Sequence, residues 1–445
     1  MFIFTLKYDI VIRTRLNKDP IRVIWKEFGV NELFLTTGEK IRQVRQQFHL
    51  KQGVFQNFGI TQHYLSMIET NKRKAPRETL EDIYHALMIL TERKIEEQYT
   101  LEEFLLSPEE QAKKWIEGQL EKGIVEDKIQ NIIEVAKKYE LVEKLLEIDQ
   151  RLGIYYFEKK DYTRSIQYFH FALSRCIQLG INPHKIYLQF GRILRGIGRW
   201  DESLSNLHLA MEYAENEEQF KHAKLLIGIT YYRMGKYEEA LEVTEEFLPL
   251  EANVNPQFIV GARIIKEGVL RRRGQIEEGR ALLIPLAQDN RFGEMIQYVY
   301  HSLGWNYIHA KLYKQALEIL EQALPLRVSK LEKALTRLLI GSIYAEIDEH
   351  DIAQSIFNEV KDEILSSNSV DSKMLWFERQ LDLYWKTERF DQVSSLFKHI
   401  KDLVSLGLFP ERLLVELKSD LHKRVVPHID IKTNQYAFFY NFLVL

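Results

Sequence analysis

The sequence predicts an all-α protein with a small N-terminal domain and a long array of helical repeats. The chain has 445 residues, which is too many for one ordinary core. Only 10 prolines and 21 glycines interrupt it, and strand-type alternation is scarce. A helix-pair pattern recurs every 37 to 40 residues from about residue 146. We therefore divide the chain into an extension (1–35), an N-terminal domain (36–92), linker helices with a degenerate repeat (93–145), seven repeats (146–424) and a tail (425–445).

The extension, residues 1–35, matches nothing downstream. It alternates weakly between apolar and polar residues and contains Pro20. Two interpretations stay open. It is either upstream sequence that is not native, or an edge element or dimerisation arm.

The N-terminal domain shows four helical segments around one turn. Apolar residues at helical spacing, such as Ile41, Val44 and Phe48, mark the first helix. Gly59 marks a turn, and Thr61 is a plausible N-cap for the helix that follows. The predicted helices cover residues 37–48, 51–57, 61–69 and 78–90.

Charge is distributed unevenly along the chain. The net charge is −3, yet residues 38–77 carry about +6, which leaves about −9 for the rest. A basic segment on an acidic body suggests that one part of the protein meets nucleic acid. The basic residues of this segment are Lys40, Arg42, Arg45, Lys51, Lys72, Arg73, Lys74 and Arg77.

The N-terminal domain resembles the five-helix Cro/xenobiotic-response-element class of helix-turn-helix domains. The resemblance rests on Gln52, on residues 59–61 at the turn, on 64–66 with 68–69, on the loop 71–73, and on 79–87. The run from residue 50 to 61 is one residue shorter than the second helix and turn of that class. The resemblance implies that the third helix enters the major groove, where Gln62 suits adenine, while the loop holds phosphates. The implied DNA-binding residues are Gln52, Thr61, Gln62, His63, Ser66, Lys72 and Arg73.

Residues 91–103 are predicted to be a charged linker. Ser107 then gives a strong helix start, because Pro108 and two acids follow it. This helix is expected to reach about Leu120, and another is expected to reach about Tyr139.

The repeats are anchored on a small residue near the start of each second helix. Aromatic or leucine residues stand nine before each anchor, a glycine often stands twelve before it, and a large residue usually stands four after it. This order resembles tetratricopeptide repeats, which stack into a right-handed superhelical solenoid with a concave side. The anchors are Ser165, Ser203, Ala240, Gly279, Ala316, Ala353 and Val393.

In repeats of this kind the first helices line the concave groove. Arginines there suit a carboxylate, because the guanidinium fork accepts one in a bidentate pair. We therefore expect a peptide with a free C-terminus or acidic side chains; the alternative is that the arginines are solvated or paired with acids such as Glu267. The expected peptide-binding residues are Arg192, Arg195, Tyr232, Arg233, Arg271, Arg272, His301, Trp305 and Trp385.

A helix-turn-helix domain followed by such repeats resembles the bacterial quorum-sensing regulators grouped as RNPP (Rap, NprR, PlcR and PrgX). The resemblance implies a cytoplasmic homodimer that binds DNA and changes its geometry when a short signalling peptide enters the groove. It also leaves an alternative open. Some members act on a response regulator as inhibitors or phosphatases, and residues 100–145 would then carry that interaction surface.

Other functions find little support. We find no glycine-rich phosphate loop, zinc pattern, paired-cysteine site or nucleophile elbow, so we expect no enzyme activity, catalytic residue, metal or cofactor. The single cysteine, Cys176, fits a reducing cytoplasm. No segment is long enough to span a membrane, and the apolar run 436–445 has only ten residues.

Overall fold

The computed structural model describes residues 34–249, 255–293 and 295–425, and every regular element in these ranges is a helix. The extension before residue 34 and the tail after residue 425 lie outside the described residues. Tertiary contacts divide the chain into two units, residues 1–152 and 153–445. In the described ranges, no helix has both the length and the apolar content needed to cross a membrane.

The first unit begins with a tightly capped helix. The Thr36 hydroxyl accepts a hydrogen bond from the Glu39 amide, and the Glu39 carboxylate accepts one from the Thr36 amide, so two of the free amides at the helix start are satisfied. A 3-10 turn at Gln52–Phe58 replaces the second α-helix predicted at 51–57. The α-helices of this unit are α1 (Thr37–Gln47), α2 (Gln62–Glu69), α3 (Arg77–Leu90), α4 (Leu101–Leu105), α5 (Pro108–Leu120) and α6 (Glu126–Lys138).

The segment predicted to be a charged linker is in fact folded. A 3-10 turn at Lys94–Glu97 and α4 occupy it, and both Ile95 and Phe104 are fully buried in the core of the N-terminal domain. The linker prediction was wrong because the many charged residues obscured two well-spaced apolar ones. Lys40 fixes the end of α4 by donating to the carbonyls of Glu103, Phe104 and Leu106 over 2.8, 3.1 and 2.8 Å.

Helix α7 (Val142–Glu158) extends to both sides of the boundary between the units. From there the second unit continues as helix pairs, in agreement with the predicted repeats, and one further helix follows. Its remaining helices are α8 (Tyr162–Leu179), α9 (His184–Gly196), α10 (Trp200–Glu212), α11 (Glu217–Arg233), α12 (Tyr237–Thr244), α13 (Pro256–Arg272), α14 (Ile276–Gln288), α15 (Ile296–His309), α16 (Tyr313–Ala323), α17 (Lys330–Glu346), α18 (His350–Ser366), α19 (Val370–Lys386), α20 (Phe390–Ser405) and α21 (Glu411–Val425).

The repeat pattern has a direct packing explanation. All seven anchors are buried on the second helices of their pairs. The glycine twelve residues before an anchor faces the large residue four after it: a Cβ placed on Gly304 would lie 2.4 Å from Leu320. Glycine therefore lets the two helices of a pair approach, and Leu320 fills the space left by the missing side chain.

The second unit also folds back on itself. Asn368, just before α19, accepts a hydrogen bond from the Tyr162 hydroxyl over 3.1 Å and donates to the Phe157 carbonyl over 2.9 Å. The Arg412 guanidinium donates to the Gly198 carbonyl over 2.8 Å and lies 3.6 Å from the centre of the Trp200 ring. We call these four interactions the closing contacts, because they join the last helices of the solenoid to its first two repeats.

Candidate functional site

The first candidate site is the N-terminal turn of α2. Gly59 has φ of 77°, a left-handed conformation that glycine adopts readily, and it turns the chain into α2. Thr61 caps the helix by accepting from the Tyr64 amide over 3.3 Å, as predicted. The side chains of Thr61, Gln62 and His63 are all exposed. A continuous polar surface therefore precedes the buried part of the helix.

The basic loop after α2 is held in place by its own backbone and by one ring. The amides of Lys72 and Arg73 both donate to the Met67 carbonyl, over 2.9 and 3.2 Å. The Arg73 guanidinium lies 4.9 Å from the centre of the Tyr64 ring, a cation–π contact that orients it. Both basic side chains remain exposed, so they are free to meet an anionic backbone.

Gln52 is placed differently from the rest of the predicted DNA-binding set. Its amide donates to Glu69 over 2.8 Å, and the same buried carboxylate receives both Nε and Nη2 of Arg45, over 2.6 and 2.9 Å. This ion pair joins α1 to α2. The structure thus gives Gln52 a role inside the domain, while Ser66, one turn after Gln62, is half-buried.

Two of the eight basic residues contribute little to the surface charge. Lys40 is buried, and this burial lowers its pKa to about 8. Arg45 is neutralised by Glu69, whose hydrogen bond raises the pKa of the guanidinium. The exposed positive charge of residues 38–77 therefore comes from the other six: Arg42, Lys51, Lys72, Arg73, Lys74 and Arg77.

The second candidate site is formed by the first helices of the solenoid. We call Arg192 and Arg195 on α9, with Arg233 at the end of α11, the arginine cluster. Nη1 of Arg195 is buried and has no hydrogen-bond partner in the described ranges. Burial, and then the charge of Arg233, lower the pKa of Arg195 to about 10. The cluster therefore holds positive charge that the surrounding side chains do not fully neutralise.

Further along the groove, Arg271 is already paired. Its Nε donates to Glu267 over 3.0 Å, and this fully buried carboxylate also accepts from Ser302 over 3.0 Å and from Asn306 over 3.1 Å. The pairing that the sequence left as an alternative is thus present at Arg271. Arg272 lies instead beside Tyr232, 5.9 Å from the centre of its ring.

The predicted aromatic residues and the histidine contact other parts of the solenoid. Trp305 contacts two guanidiniums, with Arg271 at 5.4 Å and Arg379 at 5.0 Å from its ring centre. Trp385 contacts Phe390 edge-on at 5.1 Å. The His301 ring nitrogen Nδ1 lies 3.2 Å from the Thr336 hydroxyl, and burial lowers the pKa of this histidine to about 3. His301 therefore stays neutral at physiological pH.

Sequence reasoning missed two charged residues of this groove, both on α19. Asp371 lies 3.3 Å from Nε of Arg233, and Arg379 reaches the face of Trp305 with its own Nε buried and without a hydrogen-bond partner in the described ranges. Measured from the anchor of its repeat, Arg379 lies one or two turns earlier in its helix than most of the predicted peptide-binding residues lie in theirs. Asp371 had an ordinary explanation as an acid in the first turn of a helix.

No metal site accompanies these groups. Within the described ranges, no three His, Cys, Asp or Glu residues are grouped so that they could hold an ion. Cys176 is buried and unpaired, and burial raises the pKa of its thiol.

Comparison with known proteins defines the fold class. The chain is an all-α protein with a solenoid of the tetratricopeptide type, since its described elements are paired helices and a solved Rap protein shares its fold. A Rap protein complexed with competence and sporulation factor covers 75% of this chain and 97% of its own, with 15% identity and a TM-score of 0.50. Aspartyl phosphate phosphatase F from Bacillus subtilis covers 82% and 93%, with 14% identity and a TM-score of 0.49.

A more distant likeness is to PlcR from Bacillus thuringiensis, solved in complex with the peptide PapR7 and DNA. It covers 73% of this chain and 95% of its own, with 13% identity and a TM-score of 0.33. No family model matches the sequence, and no curated protein matches it either. At these identities the likeness to the Rap protein establishes the fold alone.

Proposed function

We propose that this chain is a cytoplasmic, homodimeric transcription regulator that binds DNA through α2 and a short signalling peptide through its solenoid. The observation that carries the proposal is the exposed series Thr61, Gln62 and His63, followed at once by the exposed, oriented pair Lys72 and Arg73. Hydrogen-bonding side chains at a helix start suit base edges in the major groove, and basic side chains beside them suit phosphates.

The sensing half of the proposal rests on the groove. Its first helices present Arg192, Arg195, Arg233 and Arg272, and the half-buried Tyr232 lies among them. A short peptide is a suitable ligand because it offers carboxylates to the arginines and apolar side chains to the ring faces. Because one copy of α2 reads few base pairs, the distance between the two copies in a dimer would determine which spacing of half-sites the protein binds. A peptide that altered that spacing would alter DNA binding.

The decisive experiment selects DNA sequences with the full-length protein and then compares Gln62→Ala with Gln130→Ala. Gln130 is an exposed residue on α6 and serves as the matched control. Loss of a bidentate contact to adenine is worth about 1–3 kcal/mol, so Gln62→Ala should weaken the selected site about 5-fold to 150-fold. Binding to random DNA should change little, because phosphates dominate it.

Two results would overturn the proposal. If Gln62→Ala loses affinity equally for selected and random DNA, α2 does not read bases in the major groove. Recovery of no enriched sequence would reject DNA reading altogether and leave binding to a response regulator as the function to pursue. If no added peptide changes the occupancy of the selected DNA site, only the peptide-sensing part of the proposal is rejected.

A further inference from the structure

Helix α19 brings an acidic residue to the arginine cluster. Asp371, in the first turn of α19, lies 3.3 Å from Nε of Arg233 on α11. The two residues are 138 positions apart, and the Asp371 side chain is only 27% exposed. The charge of Asp371 also acts on Arg195. An acidic side chain of the chain itself therefore stands where the cluster would receive an anion.

The charges in this region do not balance. Arg192, Arg195 and Arg233 face one another closely enough that each of the other two lowers the pKa of Arg195, while Asp371 opposes them. His222 on α11 lies nearby, and its pKa is lowered by burial and then by Arg192. At Arg195, Asp371 therefore opposes two guanidiniums, and Nη1 of Arg195 still has no hydrogen-bond partner in the described ranges, while Glu218 acts on His222.

The shape of the contact is also incomplete. A guanidinium prefers two parallel hydrogen bonds to one carboxylate, with nitrogen–oxygen distances of about 2.8 Å. The Arg233–Asp371 contact is longer, at 3.3 Å, and it is half-exposed on the arginine side. Such a partly exposed pair contributes little to stability in water. A free carboxylate that reached Arg195 and Arg233 together would be a better partner for both.

We propose that the arginine cluster is a carboxylate-binding subsite, that Asp371 occupies it in this structure, and that the α-carboxylate of a bound peptide takes the place of Asp371. This inference rests on the proposed peptide-binding function and names the end of the peptide that the cluster receives. The peptide C-terminus lies at α9 and α11, and the rest of the peptide extends along the first helices toward Arg272.

Replacement of Asp371 has a mechanical consequence. Asp371 is three residues after Asn368, which bonds to both Tyr162 and Phe157. A ligand that separates Asp371 from Arg233 therefore weakens the closing contacts at the same place. Binding of the carboxylate and release of α19 from the first repeats become one event, so the ligand has a differential interaction with two states of the solenoid.

The test uses two degenerate octapeptide mixtures that lack Asp and Glu and differ only at the C-terminus, which is a free carboxylate or an amide. Equilibrium dialysis with mass spectrometry measures their retention by the full-length protein. Asp371→Asn should raise retention of the carboxylate mixture about 3-fold to 10-fold, because it removes a competitor for a half-exposed charge site. Retention of the amide mixture should stay unchanged.

Two further variants complete the design. Arg195→Gln should abolish the preference for the carboxylate over the amide. Asp362→Asn, an exposed acid on α18, should behave like the unmodified protein. Melting temperatures show that each variant is folded, and hydrogen exchange of the peptide covering residues 155–162 should rise in Asp371→Asn and on binding of the carboxylate mixture.

The outcomes separate the subsite from the proposed function. If peptides bind but the carboxylate and amide mixtures are retained equally by every variant, the subsite is wrong while the peptide groove stands. A fall in carboxylate retention in Asp371→Asn would also overturn the subsite. If neither mixture binds to any variant, the subsite and the peptide-sensing function fall together.

Discussion

The ion pair between Arg45 and Glu69 should control the stability of the first unit, and Glu69→Gln tests it. The side chain of Glu69 is 2% exposed and that of Arg45 is 15% exposed. The substitution keeps the shape but leaves the guanidinium charge without a counter-charge. Breaking one half of a buried pair costs about 3–5 kcal/mol. Because Arg45 keeps some water and glutamine still accepts one hydrogen bond, we expect about 2–3 kcal/mol.

Hydrogen exchange of the full-length protein measures this loss locally. A change of about 2–3 kcal/mol accelerates exchange roughly 30-fold to 150-fold in amides that open with the unit. Peptides that cover α1 and α2 should show it, while peptides of the solenoid serve as an internal reference. The matched control is Glu81→Gln, which breaks the exposed pair with Arg77 and should change little. Acceleration within twofold of that control would refute the argument.

Two further predictions concern close packing and pH. Gly38→Ala should destabilise the first unit by about 1–3 kcal/mol in urea unfolding, because its Cβ would lie 2.1 Å from the Ile68 carbonyl oxygen. Gly118→Ala, with open space around its Cβ, should instead stabilise α5 by about 0.5–1 kcal/mol, and the reverse order would contradict the packing. His301 has a folded pKa of about 3 against 6.5 when unfolded, so the second unit should lose stability as pH falls below about 6.5. His301→Gln should flatten that part of the stability–pH curve measured by thermal unfolding, and an unchanged curve would count against the burial of His301.

The elements that could be predicted from the sequence depend on short-range contacts. Gly304 and Leu320 are 16 residues apart, and a glycine makes the same contact in five of the seven helix pairs, so the spacing alone reveals the packing. The Thr61 cap is equally local, because it involves the next turn of the same helix. Such signals repeat or lie within one turn, and composition does not hide them.

The features that could not be predicted depend on how distant segments meet. From the sequence, Lys40 is expected to be a surface cation. It is buried instead, because it donates to three carbonyls at the end of α4, which lie more than 60 residues later in the chain. The Glu267–Arg271 pair lies within α13, but only the packing of α13 on α15 brings Asn306 to the same carboxylate. Asp371 becomes part of the candidate site through the curvature of the whole solenoid, which the sequence of one repeat does not specify.

The closing contacts change how the solenoid should fold and fail. In an open repeat array each repeat touches only its neighbours, so the ends fray first and damage stays local. Here Asn368 and Arg412 bond to partners more than 200 residues earlier, and Trp200 of the second repeat shares a core with the last helices. The two ends therefore cap each other. A destabilising substitution in the last repeat should therefore also destabilise the first, and the solenoid should unfold as one cooperative unit rather than repeat by repeat.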